Sequence, residues 1–308
     1  GLVGQLSEGS LIECENHGGL TLKQTKGKGY AGGAVGVIYP AGLVDKCVNT
    51  GTIVSESSEA DGIGGLTGLQ QGGDVKGCTN QGKLEVKAGR YSCHVGGVVG
   101  TLYNYTSRVA KVAQCINKGE FEISAPSMQA VGGVVGGIID GAGDVPSPVD
   151  VEGCTNIAPI SVTVGKTAGS SGLEGFYLGG IVGSIDAQNE SLLVNAVRNC
   201  SNTGNLYATL SYDAESNNAI KVGGICGNTR GPASVEGNEN TAESVILENA
   251  KAAKMLCSAG GIIGEAGDPW NSEETAISLQ NNINRASVLS RTNTAETPAG
   301  GLVGYLYC

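Results

Sequence analysis

The chain has 308 residues, of which 52 are glycine, 10 cysteine and 2 histidine, and it carries a formal charge of −10. An apolar content of 40% is too rich for a disordered chain, and the glycines follow no collagen period. The acidic balance argues against general binding to nucleic-acid phosphates or docking of a basic patch on anionic lipid, no apolar run is long enough to span a membrane as a helix, and two histidines leave little general-base chemistry at neutral pH.

A repeat begins at the first residue. A box of the form Gly-aliphatic-x-Gly ends at Gly4, Gly36, Gly68, Gly100, Gly136, Gly183, Gly227, Gly264 and Gly304, with spacings of 32, 32, 32, 36, 47, 44, 37 and 40 residues. Between boxes lies a second signature, clearest as VDKCVNTG from Val44, VKGCTNQG from Val75, VAQCINKG from Val112 and VRNCSNTG from Val197. Its slot holds Cys14, Cys47, Cys78, Cys115, Cys154 and Cys200, then Asn238 and Asn282. Three residues before the slot stands Val or Leu (Leu11, Val44, Val75, Val112, Val151, Val197, Val235, Leu279). Two residues after it stands Asn16, Asn49, Asn80, Asn117, Asn156, Asn202, Asn240 or Asn284, and two further on Gly or Ala. Each unit closes with alternating pairs such as Leu84/Val86, Phe121/Ile123 and Ile160/Val162, a period of two that reads as strand. Only Thr241–Met255 comes near a helical spacing.

Three short strands in a unit of about thirty residues, stacked unit on unit, predict an all-β chain: a parallel β-helix of eight to nine coils forming one domain over residues 1–308. The base rate for parallel crossovers makes it right-handed. Coils about 4.8 Å apart place equivalent residues above one another, so the eight asparagines are expected to pass amide hydrogen bonds up the stack. The paired glycines of the boxes suit a corner that needs positive φ or close backbone approach. The slot cysteines, with parallel Cβ vectors, are poorly posed for disulfides and are expected as buried free thiols, and no Cys/His spacing fits a zinc site.

Candidate sites fall where the period swells. Two insertions, Gly165–Tyr177 and Ser211–Lys221, should emerge from one corner in adjoining coils. They bring Glu174, Phe176 and Tyr177 beside Tyr212, Asp213 and Glu215, and aromatics beside carboxylates suit stacking on a sugar ring. A second segment carries Asp140, Asp144, Asp150 and Glu152, the paired carboxylates a glycosidase requires, although a solvated acidic turn has the same composition. His17 and His94 read as surface or edge histidines.

The boxes GGVVG, GGIVG, GGIIG and GGLVG resemble the GLUG motif repeat, known from bacterial surface and secreted proteins that include immunoglobulin A metallopeptidases and large adhesin-like proteins of gut anaerobes. The likeness runs along essentially the whole chain, with departures at Ala34 in GGAVG and Thr67 in GGLTG. It implies a β-solenoid that is extracellular or on the outer surface of a bacterium, with no agreed catalytic residues. No H-E-x-x-H motif occurs, so the peptidase activity of some members does not carry over. The expected function is therefore a non-catalytic adhesion, ligand-presenting or spacer module without cofactor or metal. Its partners would be a host or dietary glycan or an extracellular protein, with no nucleic acid and no membrane insertion. The alternatives are a β-helix polysaccharide lyase or glycosidase built on the acidic segment, and an accessory domain of a secreted peptidase. Because the chain opens inside a box, it is expected to be a piece of a longer protein with further domains.

Overall fold

The structure is a computed structural model that describes residues 1–23, 26–57, 60–87, 93–106, 108–124, 128–140, 148–164, 175–187, 194–210, 219–249, 257–267, 277–292 and 297–307. The described residues form a parallel β-helix in which equivalent strands of successive coils pair in register. Eight coils at about 4.8 Å each give a rod roughly 38 Å long.

One coil shows the plan. It runs through Thr67–Gln70, Asp74–Lys76, Thr79–Asn80, Leu84–Val86 and Cys93–Gly96 before the next begins at Val99. From the third coil on, each coil thus has five short strands rather than the expected three; in the first two, Val3–Ile12 and Val35–Asp45 run through the box and the Val-x-x segment as one strand, which leaves four. Two breaks make the difference. The first is the residue before the Cys slot, which has positive φ in all eight units: Glu13 (52°), Lys46 (51°), Gly77 (60°), Gln114 (54°), Gly153 (62°), Asn199 (54°), Gly237 (65°) and Asn281 (54°). A left-handed residue ends a strand, so the Val-x-x and x-Asn segments are separate elements. The second break is the glycine pair. The segment Thr241–Met255, nearest to a helical pattern, contains the strand Ser244–Asn249.

The box glycines act by close approach and not by positive φ. A Cβ on Gly97 would lie 2.1 Å from the carbonyl of Gly133 and 2.3 Å from the Asn117 side chain, while one on Gly96 would meet the Val99 carbonyl at 1.9 Å. A Cβ on Gly100 would strike the Ile63 backbone nitrogen of the preceding coil at 2.4 Å. The spelling Gly-Gly-aliphatic-x-Gly is therefore three separate steric demands, relaxed only at the two ends, where a Cβ on Gly4 or Gly301 would meet nothing within 4 Å.

The asparagines form a continuous ladder. Each Nδ2 donates to the Oδ1 of the next coil: Asn16 to Asn49 (2.8 Å), Asn49 to Asn80 (3.0 Å), Asn80 to Asn117 (3.0 Å), Asn117 to Asn156 (3.0 Å), Asn156 to Asn202 (2.9 Å), Asn202 to Asn240 (3.0 Å) and Asn240 to Asn284 (2.9 Å). Most of these amides also donate to the carbonyl two residues on, as Asn80 does to Gly82 at 3.0 Å.

The Cys slot has its own grammar. The Sγ of Cys47, Cys78, Cys115, Cys154 and Cys200 points at the carbonyl of the Val or Leu three residues before the slot in the coil below, at 3.4–3.7 Å. Asn238 and Asn282 keep that bond with Nδ2, to Val197 O at 2.9 Å and Val235 O at 2.7 Å. Cysteine and asparagine interchange here because each places a donor on the same carbonyl. All nine described cysteines are free thiols.

Two apolar cores run the length of the rod. One lies behind the strands that lead into the glycine pairs and holds Ile63, Val95, Val131, Leu178 and Val222 against Leu84, Ile160 and Leu206. The other lies behind the box strands and holds Val99, Val135, Val182 and Ile263 with the slot cysteines.

Candidate functional site

Between the two cores the chain folds back through the glycine pair, so the strand entering the turn faces the strand leaving it across a thin seam. Alternation decides what enters the seam. Ile220 and Val222 point into one core, which sends Lys221 the other way. Register aligns His94, Ala130, Tyr177, Lys221 and Ser258 on the entering side, and Thr101, Gly137, Ser184, Asn228, Glu265 and Tyr305 on the leaving side.

The seam is tight and polar. His94 Nδ1 lies 3.2 Å from Thr101 Oγ1, which in turn donates to the Asp61 carbonyl at 3.0 Å. The hydroxyl proton being spent on Asp61, the imidazole Nδ1 must carry the hydrogen of the first contact. A Cβ on Gly137, one coil further along, would sit 2.3 Å from the His94 ring. His94 is thus a buried seam residue, in contrast to the surface or edge histidine expected, whereas His17 is exposed beside Glu15 (3.0 Å) and Thr50 (2.8 Å).

Three coils beyond His94 the seam concentrates charge. The Lys221 ammonium, 1% exposed, is paired with the Glu265 carboxylate, and its Nζ stands 6.0 Å from the centre of the Tyr305 ring. Burial pushes the Lys221 ammonium below its ordinary value while Glu265 pulls it back up. Asn228, 4% exposed, is the register partner of Glu265 on the adjoining strand, and its Oδ1 is buried without a hydrogen-bond partner among the described residues. Ser258 Oγ donates to the Gly264 carbonyl at 2.9 Å. Sequence reasoning missed this cluster, since its positions share no residue type from coil to coil.

The residues singled out from the sequence lie elsewhere. Glu174, Tyr212, Asp213, Glu215 and Asp144 fall outside the described residues. Phe176 and Tyr177 do not sit on an exposed insertion: they belong to the strand Gly175–Gly179. Phe176, 2% exposed, packs into the core with Leu178 and Ile220, and Tyr177 is buried at the seam, so neither ring is open to a sugar. Asp150 is held by Arg198 in a two-pronged contact, Nε to Oδ1 at 2.9 Å and Nη2 to Oδ2 at 2.6 Å, and Glu152 lies 3.4 Å from the same guanidinium. Both oxygens of this carboxylate are spent on the clamp. Asp140 ends the strand Val135–Asp140.

One outer face combines apolar and polar side chains. On strands Ile160–Val164, Leu206–Leu210, Ser244–Asn249 and Ser287–Thr292, register places Ser161, Tyr207, Ile246 and Leu289 in one outward column. Tyr207 donates its hydroxyl to Glu248 at 2.9 Å, and Glu248 meets Arg291 at 3.1 Å.

Among the described residues, no group of three or more His, Cys, Asp or Glu is placed to hold a metal ion, and no helix is long and apolar enough to cross a membrane. No protein-family model, curated protein or solved structure matches the chain.

Proposed function

We propose that this chain is a non-catalytic β-solenoid module of a bacterial surface or secreted protein, a stiff rod that holds or presents a ligand-binding face. The observation that supports this reading is the axial bonding: sheet hydrogen bonds, the asparagine ladder and the slot contacts all run from coil to coil. Bonds aligned with the long axis resist extension and bending, which is what a spacer requires. The face it would present is the outer sheet bearing Tyr207, Ile246 and Leu289, where an aromatic ring, aliphatic neighbours and the Glu248–Arg291 pair offer stacking and hydrogen bonding on one flat surface.

A panel of glycans, mucins and matrix proteins tests the reading. Binding that is lost in Tyr207→Ala with the fold intact supports a presenting face. Absence of binding across the panel removes the presenting role and leaves a spacer. Cleavage of any polysaccharide or peptide by the purified chain overturns the non-catalytic reading.

A further inference from the structure

The geometry points to a covalent cross-link within the seam: we propose that Lys221 and Asn228 are joined by an isopeptide bond formed with Glu265 as the acid–base group. Three observations converge on it. Lys221 and Asn228 occupy the two sides of one fold-back, Lys221-Val-Gly-Gly-Ile-Cys-Gly-Asn228. They stand in the register positions of His94 and Thr101, whose side chains touch across the seam at 3.2 Å. Glu265 contacts the amine and lies directly beside Asn228 in register, so one carboxyl serves both partners. The Asn228 carbonyl oxygen, buried and unpartnered among the described residues, is the acceptor that a protonated Glu265 would satisfy.

Each group has one task. The Lys221 ammonium passes a proton to the Glu265 carboxylate, an exchange that burial favours because it replaces two charges by two neutral groups. The neutral amine attacks Cγ of Asn228, while the Glu265 carboxyl donates toward Oδ1 as negative charge develops there. Collapse of the tetrahedral carbon breaks the Cγ–Nδ2 bond. Glu265 relays the proton from the former amine to the departing nitrogen, so ammonia leaves and a secondary amide remains. No oxidant, metal or cofactor is consumed. Condensation of Lys221 with Glu265 itself would expel water, leave Asn228 Oδ1 without a partner and provide no second carboxyl to carry the protons.

Other levels of the seam lack this set. Ala130 faces Gly137, and Tyr177 faces Ser184. The Lys221–Asn228 link would clasp the two sheets across the glycine turn, where main-chain hydrogen bonds run along the axis and, among the described residues, none crosses the seam within a coil.

The test is mass spectrometry of the intact 308-residue chain, reduced and alkylated, followed by a tryptic map. The expected result is a mass below that of the sequence by one ammonia, no cleavage after Lys221, and a branched peptide joining Lys221 to the Asn228 peptide. Glu265→Gln and Lys221→Met, checked for native far-ultraviolet dichroism, should return to the full mass of their sequences. The wild-type branched peptide decides the matter if either variant fails to fold. An unmodified mass overturns the proposal. So does loss of water mapped to Lys221 and Glu265, or loss of ammonia confined to an unbranched peptide.

Discussion

Removing one rung from the middle of the asparagine ladder should cost far more than removing the first. Asn117 donates to Asn156 Oδ1 at 3.0 Å and to the Gly119 carbonyl at 3.4 Å, while its own Oδ1 accepts from Asn80 at 3.0 Å and from the Gly119 amide at 3.2 Å. Asn117→Ala deletes both inter-coil bonds, at about 1 kcal/mol each. It also takes the ladder donor from Asn156 Oδ1 in a site closed to water, which adds about 1–3 kcal/mol for an orphaned buried group. The total is about 3–5 kcal/mol. Asn16 makes a single rung, to Asn49, at the first described coil, where water can replace a lost bond. Asn16→Ala is therefore expected to cost about 1–2 kcal/mol. Urea unfolding followed by far-ultraviolet dichroism measures both. Equal losses at the two positions, or a loss below about 1 kcal/mol at Asn117, would refute the claim that the ladder holds coil to coil.

Three other outcomes follow from the same geometry. Gln114 is exposed and held at a φ of 54°, where its neighbours in the repeat use glycine, so Gln114→Gly should stabilise the chain by about 1 kcal/mol, seen as a higher urea midpoint. Thr67 replaces the Val35 and Val99 of adjoining coils and buries an Oγ1 with no partner among the described residues, so Thr67→Val should also stabilise, by about 1 kcal/mol, whereas Thr67→Ser should not. Burial pushes the thiols of Cys93 and Cys226 well above their ordinary values, so they stay protonated when folded but ionise when unfolded. Their contribution is intact below the unfolded thiol pKa of about 8.5 and is lost above it, at up to about 1.4 kcal/mol per pH unit for each thiol. Urea midpoints should fall steeply between about pH 8 and pH 10, and a flat profile would contradict buried thiols.

The parts of the fold legible in the sequence are those where every coil makes the same demand with the same residue. The short carboxamide of asparagine provides a donor to one level and an acceptor to the other, so Asn16 to Asn284 stand out at once. The glycine pairs stand out likewise, because no Cβ fits. The left-handed residue before the slot was hidden, since Glu13, Lys46 and Gln114 tolerate the strain that Gly77, Gly153 and Gly237 avoid. Its trace was there in the glycine and asparagine enrichment at that position. The seam was less legible still, because its occupants change from His94 to Ala130 to Lys221, and each answers to a particular neighbour across the fold-back. Phe176 and Tyr177 were misplaced because the sequence does not mark where the long insertion stops and the strand at Gly175 begins.

The ladder has a direction. Every carboxamide offers its nitrogen toward the later coils and its oxygen toward the earlier ones, as in the rung from Asn49 to Asn80. A segment can therefore be spliced into the rod only in one orientation and only as a whole coil, for a reversed segment would set a nitrogen against a nitrogen and half a coil would carry its asparagine out of the ladder. The rod's length is accordingly quantised in steps of about 4.8 Å, while the connections outside the ladder are free to vary. Spacings that range from 32 to 47 residues are what such a rule permits: growth by integers along the axis and by any amount away from it.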